Sequence, residues 1–397
     1  MTADLLPPPD ESGGAIAWLR RNLFATWYDT LLTVVLVVVL GAFALGAAQW
    51  AVTEARWGVV ITNLRLFLIG QYPFEEAWRI WLALTILSAL AGLSAGIYGG
   101  AIRTLGIWLA AGQVILAGLA FASALGPIVA LALVFNSAVA ALGFIIGLRR
   151  SAWRNGLAIG WLVSVPVTFL LLSGISGTVI PEVGTNVWGG LLLTFVLATV
   201  GIVLAFPLGV LLALGRRSGL PAIRVLSIAY IELIRGVPLV TILFMADLIL
   251  PLFLPGDVRI DRVIRATGGI VLFSAAYVAE NVRGGLQAIP TGQVEAAQAL
   301  GLNVFQTNLF IVLPQALRAV IPANVGLFIS LLKDTTLVVI IGLMELLGIG
   351  RAVLAQPQWL GAQLEVYVFI AMVFFVLCYT LSQASYRLEA SLGVGSR

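Results

Sequence analysis

The chain has 397 residues, 61% of them hydrophobic and only 10% charged, with a net charge of +4 and a mean hydropathy of +1.08. Soluble globular domains carry about 25% charged residues, so a water-soluble body is excluded. The lack of His, and a single cysteine, Cys378, set in an apolar run, exclude His-based zinc sites, His general bases, internal disulfides and CxxC centres.

A helix needs roughly 20 apolar residues to cross a bilayer, and backbone polar groups in lipid must be paired internally. The apolar runs are continuous rather than alternating, which argues for helices over a barrel. The expected fold is all-α: a polytopic membrane protein of about ten transmembrane helices.

Residues 1–29 are polar, with Pro7-Pro8-Pro9 and then Arg20-Arg21 ahead of the first apolar run at about 30–50. The start is acidic, and that run is longer than the 7–15 apolar residues of a secretory signal. It reads as a retained helix, with cleavage near residue 48 as the alternative. Further segments fall at about 78–97, 104–123, 126–148, 156–176, 188–214, 225–250, 265–285, 317–341 and 364–386. Gly126-Pro127 joins two of them as a tight hairpin. Gly143–Gly147 and Gly156–Gly160 permit close helix contact and carry no functional weight. Pro207 lies inside a span, as a hinge or a static bend.

Arginine placement orients the chain. With ten spans and the N-terminus inside, fifteen of the 22 Arg and Lys residues fall inside, Arg387 and Arg397 among them; Arg235 and Lys333 are counted near inner span ends. Both termini are then cytoplasmic, in a multi-pass protein of the cytoplasmic (inner) membrane. The polar segment 286–316 falls in the cytoplasm.

Within that segment Pro290 ends the preceding span, and residues 293–300 have good helix propensity. Gly301 supplies a sharp turn. Asn303 and Gln306 have the spacing of a capping box, and Leu313-Pro314 is expected to bend the chain back to the membrane. Val294, Ala297 and Leu300 or Gly301 share one face, while Glu295 points toward water or a partner. From these residues alone, a docking surface and a plain helical hairpin stand equally. The only lysine, Lys333, lies between Leu332 and Asp334, whereas a Walker A loop needs Gly before and Ser or Thr after it. The chain therefore has no P-loop of its own.

Charges at membrane depth face cavities or partners. Glu232 and Arg235 read as a structural or gating ion pair ahead of substrate contact. Glu280 and Arg283, three apart on one helix face, can pair with each other. Asp247, nearer the outer end, is a tentative substrate-pathway residue that could meet an ammonium group.

The spacing of Glu295, Ala296, Ala297, Gly301, Ile311, Leu313 and Pro314 matches the EAA-x-x-x-G-(nine)-I-x-L-P pattern of bacterial ABC importer permeases. Glu232-Leu-Ile-Arg235-Gly236-Val-Pro238 resembles the E-x-x-R-G-x-P segment that opens the second core helix of polar amino-acid permeases of the histidine/glutamate/glutamine/arginine type. Ala276 to Gly285 is similar to their A-Y-x-A-E-x-x-R-G-G segment, and Lys333-Asp334-Thr335-Thr336-Leu337 to their K-x-T/S-S/T-L segment. The resemblance covers 188–390, about five core helices. Residues 30–187 are then an extension of about five more, following the cytoplasmic segment 1–29. Phe67 to Pro73, with Glu76 and Trp78-Arg79, resembles the long permeases of general L-amino acid and glutamate/glutamine/aspartate/asparagine systems.

The resemblance implies a type I ABC importer permease core with coupling loop 286–316, and no bond chemistry in this chain. It implies ATP and Mg bound by a cytoplasmic ABC ATPase dimer, a second homologous permease (a heterodimer), a periplasmic amino-acid-binding protein, surrounding membrane lipid and no nucleic acid. By carry-over Glu295 contacts the ATPase, Ala296 and Ala297 permit close approach, and Gly301, Ile311, Leu313 and Pro314 complete the coupling pattern. Glu232, Arg235, Glu280, Arg283 and Lys333 are structural or gating residues. The alternative is an ion-gradient-driven secondary transporter of polar solutes, but no half-to-half repeat of the kind common there is visible.

Overall fold

The computed structural model describes residues 14–121, 125–178, 180–256 and 258–392; the Pro7–Pro9 run and Arg397 lie outside them. The chain divides into two compact units between Trp57 and Gly58. In the first, α1 (Ala15–Asn22) precedes α2 (Trp27–Gln49). Thr26 caps α2, its hydroxyl accepting from the Asp29 N–H at 3.2 Å, and Asp29 sits where the helix dipole favours an anion. A π-helical turn extends this helix to Glu54, making a 28-residue apolar run.

The second unit opens with short helices α3 (Gly58–Thr62) and α4 (Leu64–Ile69). Four long helices follow: α5 (Trp78–Tyr98), α6 (Gly100–Phe121), α7 (Gly126–Arg149) and α8 (Arg154–Ser173). Next come α9 (Gly190–Arg216), α10 (Pro221–Arg235), α11 (Leu239–Phe244) and α12 (Arg262–Gln287). The chain ends with α13 (Thr291–Ala299), α14 (Val304–Gln306), α15 (Leu313–Asp334), α16 (Leu346–Leu354) and α17 (Gln363–Leu392). The only β pairing among the described residues is two isolated bridges.

All ten apolar segments are helical, yet fewer qualify as straight spans. Among the described residues, seven runs are long and apolar enough to cross a membrane, or eight with one bent pair counted as a span. Ile102–Gly118 and Ile159–Ser173 are shorter. The bent pair corrects the expectation of one span at 225–250. α10 ends at Arg235, and the run resumed at Leu239 is turned by 105°, because Val237 precedes Pro238 and is disfavoured as helix. The Glu232–Pro238 segment thus sits at the end of α10 and in this break rather than at the start of a helix.

Small residues set the packing. A Cβ on Gly92 would lie 2.0 Å from the Ala140 carbonyl oxygen, and one on Gly147 would lie 2.6 Å from that of Leu93. α5 and α7 therefore meet backbone to backbone. α9 lies along α12, with Gly209 against Val278, and Gly285 of α12 meets Ala316 of α15. One apolar cluster (Leu193, Leu243, Ile270, Leu331, Val338) fills the half near the start of α9. A second (Ile231, Val282, Leu286, Val312, Ala316) fills the half near its end.

The Phe67–Pro73 motif reaches the core directly. Gly70 bridges Trp188, and Gly190 bridges Glu345. A Cβ on Gly70 would stand 2.5 Å from the Gly189 Cα. Tyr72 is fully buried and donates its hydroxyl to the Leu172 carbonyl at 2.8 Å. Residues 58–187 and the core are one packed unit.

Candidate functional site

The Glu295–Pro314 segment begins where α12 ends. α13 closes in two backbone bonds: Gly301 N–H to Gln298 O at 2.9 Å and Leu302 N–H to Ala297 O at 3.1 Å. That wrap requires a left-handed residue, and Gly301 has φ +81° with open space around it. Asn303 and Gln306 then exchange bonds of 2.8 and 3.0 Å in a complete capping box. Two caps leave the hairpin with little freedom at its turn.

One side of α13 is anchored. Ala297 is buried, and Val294 packs with Ile289 on the cluster of Leu286, Val312 and Ala316. Gln315 donates to the Gln293 side chain at 3.3 Å, tying α13 to α15. Glu295 and Ala296 face outward, as does Pro314, while Ile311 and Leu313 are half-buried. Leu300, expected on the anchored face, is 83% exposed, because the left-handed turn begins at the next residue. With Val304, Phe305 and Phe310 it forms an exposed apolar patch of the kind that marks interaction surfaces. Val304 and Phe305 carry no signal in the sequence, since a three-residue helix shows no periodicity.

Leu313-Pro314 does not bend the chain back. Thr307–Val312 forms a π-helical turn running straight into α15, and Val304–Ile341 is one 38-residue candidate span. Pro314 sits in the first turn of α15, where a missing N–H costs least.

The charged residues gather where α9, α10 and α12 end. Glu280, 16% exposed, is the hub. It accepts from Arg283 at 2.9 Å and from Arg216 at 3.0 Å, and it faces Arg235 at 3.6 Å. Arg216 also reaches Glu232 at 3.0 Å. Glu232 and Arg235 are therefore joined through Arg216 and Glu280 instead of pairing directly. Arg235 lies over the Tyr277 ring at 5.6 Å. Nothing local in the sequence marks Arg216, since its partners are 16 and 64 residues away.

Lys333 belongs elsewhere. It is exposed in the last turn of α15, at the end away from the coupling segment, between Leu332 and residues that pack with the start of α9. A helix rises about 1.5 Å per residue, so the twenty residues after Leu313 set it about 30 Å away, at the opposite end of α15 from the Glu295–Pro314 segment.

Asp247 is buried in a π-helical turn after α11. Arg262 and Arg265, both in the first turn of α12, reach its carboxylate at 3.2 and 3.1 Å. Arg265 also donates to the Asp247 backbone carbonyl. Its surroundings carry net positive charge.

The sequence model of the binding-protein-dependent transport system inner membrane component matches residues 205–390. The chain is 36% identical to the inner membrane amino-acid ABC transporter permease protein YhdY of Escherichia coli K12, over 98% of this chain and 96% of that one. It is 36% identical to the glutamate/glutamine/aspartate/asparagine transport system permease protein BztC of Rhodobacter capsulatus, over 97% and 95%. A crystal structure of an amino acid ABC transporter with histidines shares 28% identity, covering 58% of this chain and 98% of its own, with a TM-score of 0.46. Full-length likeness to ABC permeases, extension included, leaves no place for the secondary-transporter reading. The chain belongs to the inner-membrane permeases of binding-protein-dependent ABC transport systems, as a multi-pass permease subunit of the amino-acid importer group.

Proposed function

We propose that this chain forms one half of an amino-acid translocation path and that α13–α14 is its coupling element. The carrying observation is the doubly capped hairpin that anchors Val294 and Ala297 while presenting Glu295, Ala296, Leu300 and Phe305 outward. A rigid element biased from both sides is what coupling requires. A cytoplasmic ABC ATPase dimer docks there and binds ATP and Mg, so this chain hydrolyses nothing. A homologous second permease completes the path as a heterodimer, a periplasmic amino-acid-binding protein delivers cargo, and both termini face the cytoplasm. The Rhodobacter relative named for glutamate, glutamine, aspartate and asparagine supports polar amino acids as that cargo.

In this reading Glu280 with Arg216, Arg235, Arg283 and Glu232 forms a latch between α9, α10 and α12 beside the coupling element. Asp247 anchors the outer end of α12 near the path, and Lys333 is an outer structural residue. Residues 58–187 of the extension brace the core through the Gly70–Trp188 contact. The test is uptake by Gly301→Asp in membranes. Normal insertion with uptake abolished is expected; full ATP-dependent uptake would remove the coupling role.

A further inference from the structure

The ends of α9 and α12 form an open surface cleft of about 340 Å³ lined by Arg216, Arg217, Arg283 and Gln287. That volume lies within the range of small-molecule sites, about 300–1,000 Å³. Four guanidiniums gather there with two carboxylates: Arg216, Arg217, Arg235 and Arg283 against Glu232 and Glu280. Positive charge is left over. Arg217 is exposed and spends one nitrogen on the Leu286 carbonyl at 3.3 Å. Arg283 holds the Gln287 carbonyl oxygen at 2.9 Å, which turns the Gln287 amide N–H groups outward as further donors. The polar part of the cleft is supplied by these guanidiniums and the Gln287 amide, beside the aliphatic stems that carry them.

Its place is as telling as its charge. The cleft lies at the end of α12 that leads into the coupling hairpin, and the nearby chain exposes Leu211 and Leu220. Guanidiniums beside an exposed apolar surface match a phospholipid, headgroup against Arg and tails along Leu. Basic pockets between helices on the cytoplasmic side bind acidic headgroups, and a planar guanidinium fits phosphate in a two-pronged way. We infer that this cleft binds a phosphate-bearing anion, the headgroup of an acidic phospholipid, next to the coupling element. The cytoplasmic placement rests on the permease reading; the ligand chemistry does not.

The experiment uses the permease assembled with its partner subunits, purified in mild detergent and weighed by native mass spectrometry after equal exposure to phosphatidylglycerol and phosphatidylcholine. A second arm titrates lipid-depleted complex with inorganic phosphate and follows the thermal midpoint. Selective retention of phosphatidylglycerol is expected, reduced about fivefold in Arg217→Gln, restored in Arg217→Lys and unchanged in Arg224→Gln. If Arg217→Gln does not assemble, Gln287→Ala serves in its place. A phosphate response weakened by the same variant, without lipid preference, upholds the phosphate chemistry and assigns a free anion as its source. Equal retention of both lipids with no phosphate response overturns the site, as does unchanged retention in Arg217→Gln. Retention lost whenever the ATPase is bound gives the guanidiniums to protein carboxylates and also overturns it. Uptake is not read, so failure of the permease reading would show separately, as inactive transport with the lipid still in place.

Discussion

The backbone N–H of Leu302 donates to the Ala297 carbonyl at 3.1 Å, so α13 is closed over Gly301 at φ +81°. Nothing lies within 4 Å of a Cβ built on Gly301; the requirement is conformational and not steric. A β-carbon in this region costs roughly 1–2 kcal/mol, and Asn tolerates it best. Uptake is expected to fall in the order Gly, Asn, Ala, Val at position 301, with unchanged amounts in the membrane. Equal uptake by all four would sink the assignment.

Phe305 is 72% exposed in a helix of three residues. Phe305→Ala removes little packing within this chain, so its unfolding free energy should stay within about 0.5 kcal/mol of the parent. Co-purification of the ATPase should drop sharply. A variant that keeps its ATPase but melts early would mean that the side chain is structural.

Glu280 serves three arginines and Glu232 one. Glu280→Gln leaves crowded guanidiniums uncompensated and should cost about 1.5–3 kcal/mol, the range for hydrogen bonds to charged groups. Glu232, its side chain 56% exposed, should cost about 0–1 kcal/mol when made Gln. Denaturation of the two variants checks the ranking, and a reversed order refutes Glu280 as the hub.

Glu345 lies buried between the run ending at Ile341 and the one beginning at Gln363. It caps α16, its carboxylate accepting from Leu347 and Gly348 at 2.8 Å each. Burial pushes its pKa from 4.5 up to about 7, against the lowering effect of those two bonds. A carboxyl with a raised folded value holds its proton more tightly folded than unfolded. Its contribution is present below about pH 4.5 and is lost as pH rises to about 7. The thermal midpoint should fall across that window, and Glu345→Gln should flatten the slope; parallel slopes would exclude Glu345 as the cause.

Gly92 offers a test of the extension. Gly92→Ala would drive a Cβ into the Ala140 carbonyl, whereas Gly112 has nothing within 4 Å. Folded yield should collapse for the first substitution and hold for Gly112→Ala. Similar yields would mean that α5 and α7 are not held together by backbone contact.

Local signals were legible where both partners sit within one turn. The Asn303–Gln306 box and the Gly301 turn are three- and four-residue events, and the sequence names them outright. The apolar runs announced every long helix, because lipid demands continuous hydrophobicity. Errors arose where a window cannot see a break or a direction: one span assumed through Val237-Pro238, a bend assumed at Leu313-Pro314, and Lys333 assigned to the wrong end of its helix.

By itself the sequence determined the class of the protein, its helical composition, the absence of a P-loop and the turn and cap of the Glu295–Pro314 segment, all of which depend on composition or short spacing. Only the tertiary structure decided that Glu280, besides its local partner Arg283, gathers Arg216 and Arg235, that Gly70 lies on Gly189, and that Leu300 and Phe305 face outward. Most of those contacts join residues tens of positions apart, and the rest depend on which face a packed helix leaves free; helix packing alone settles both.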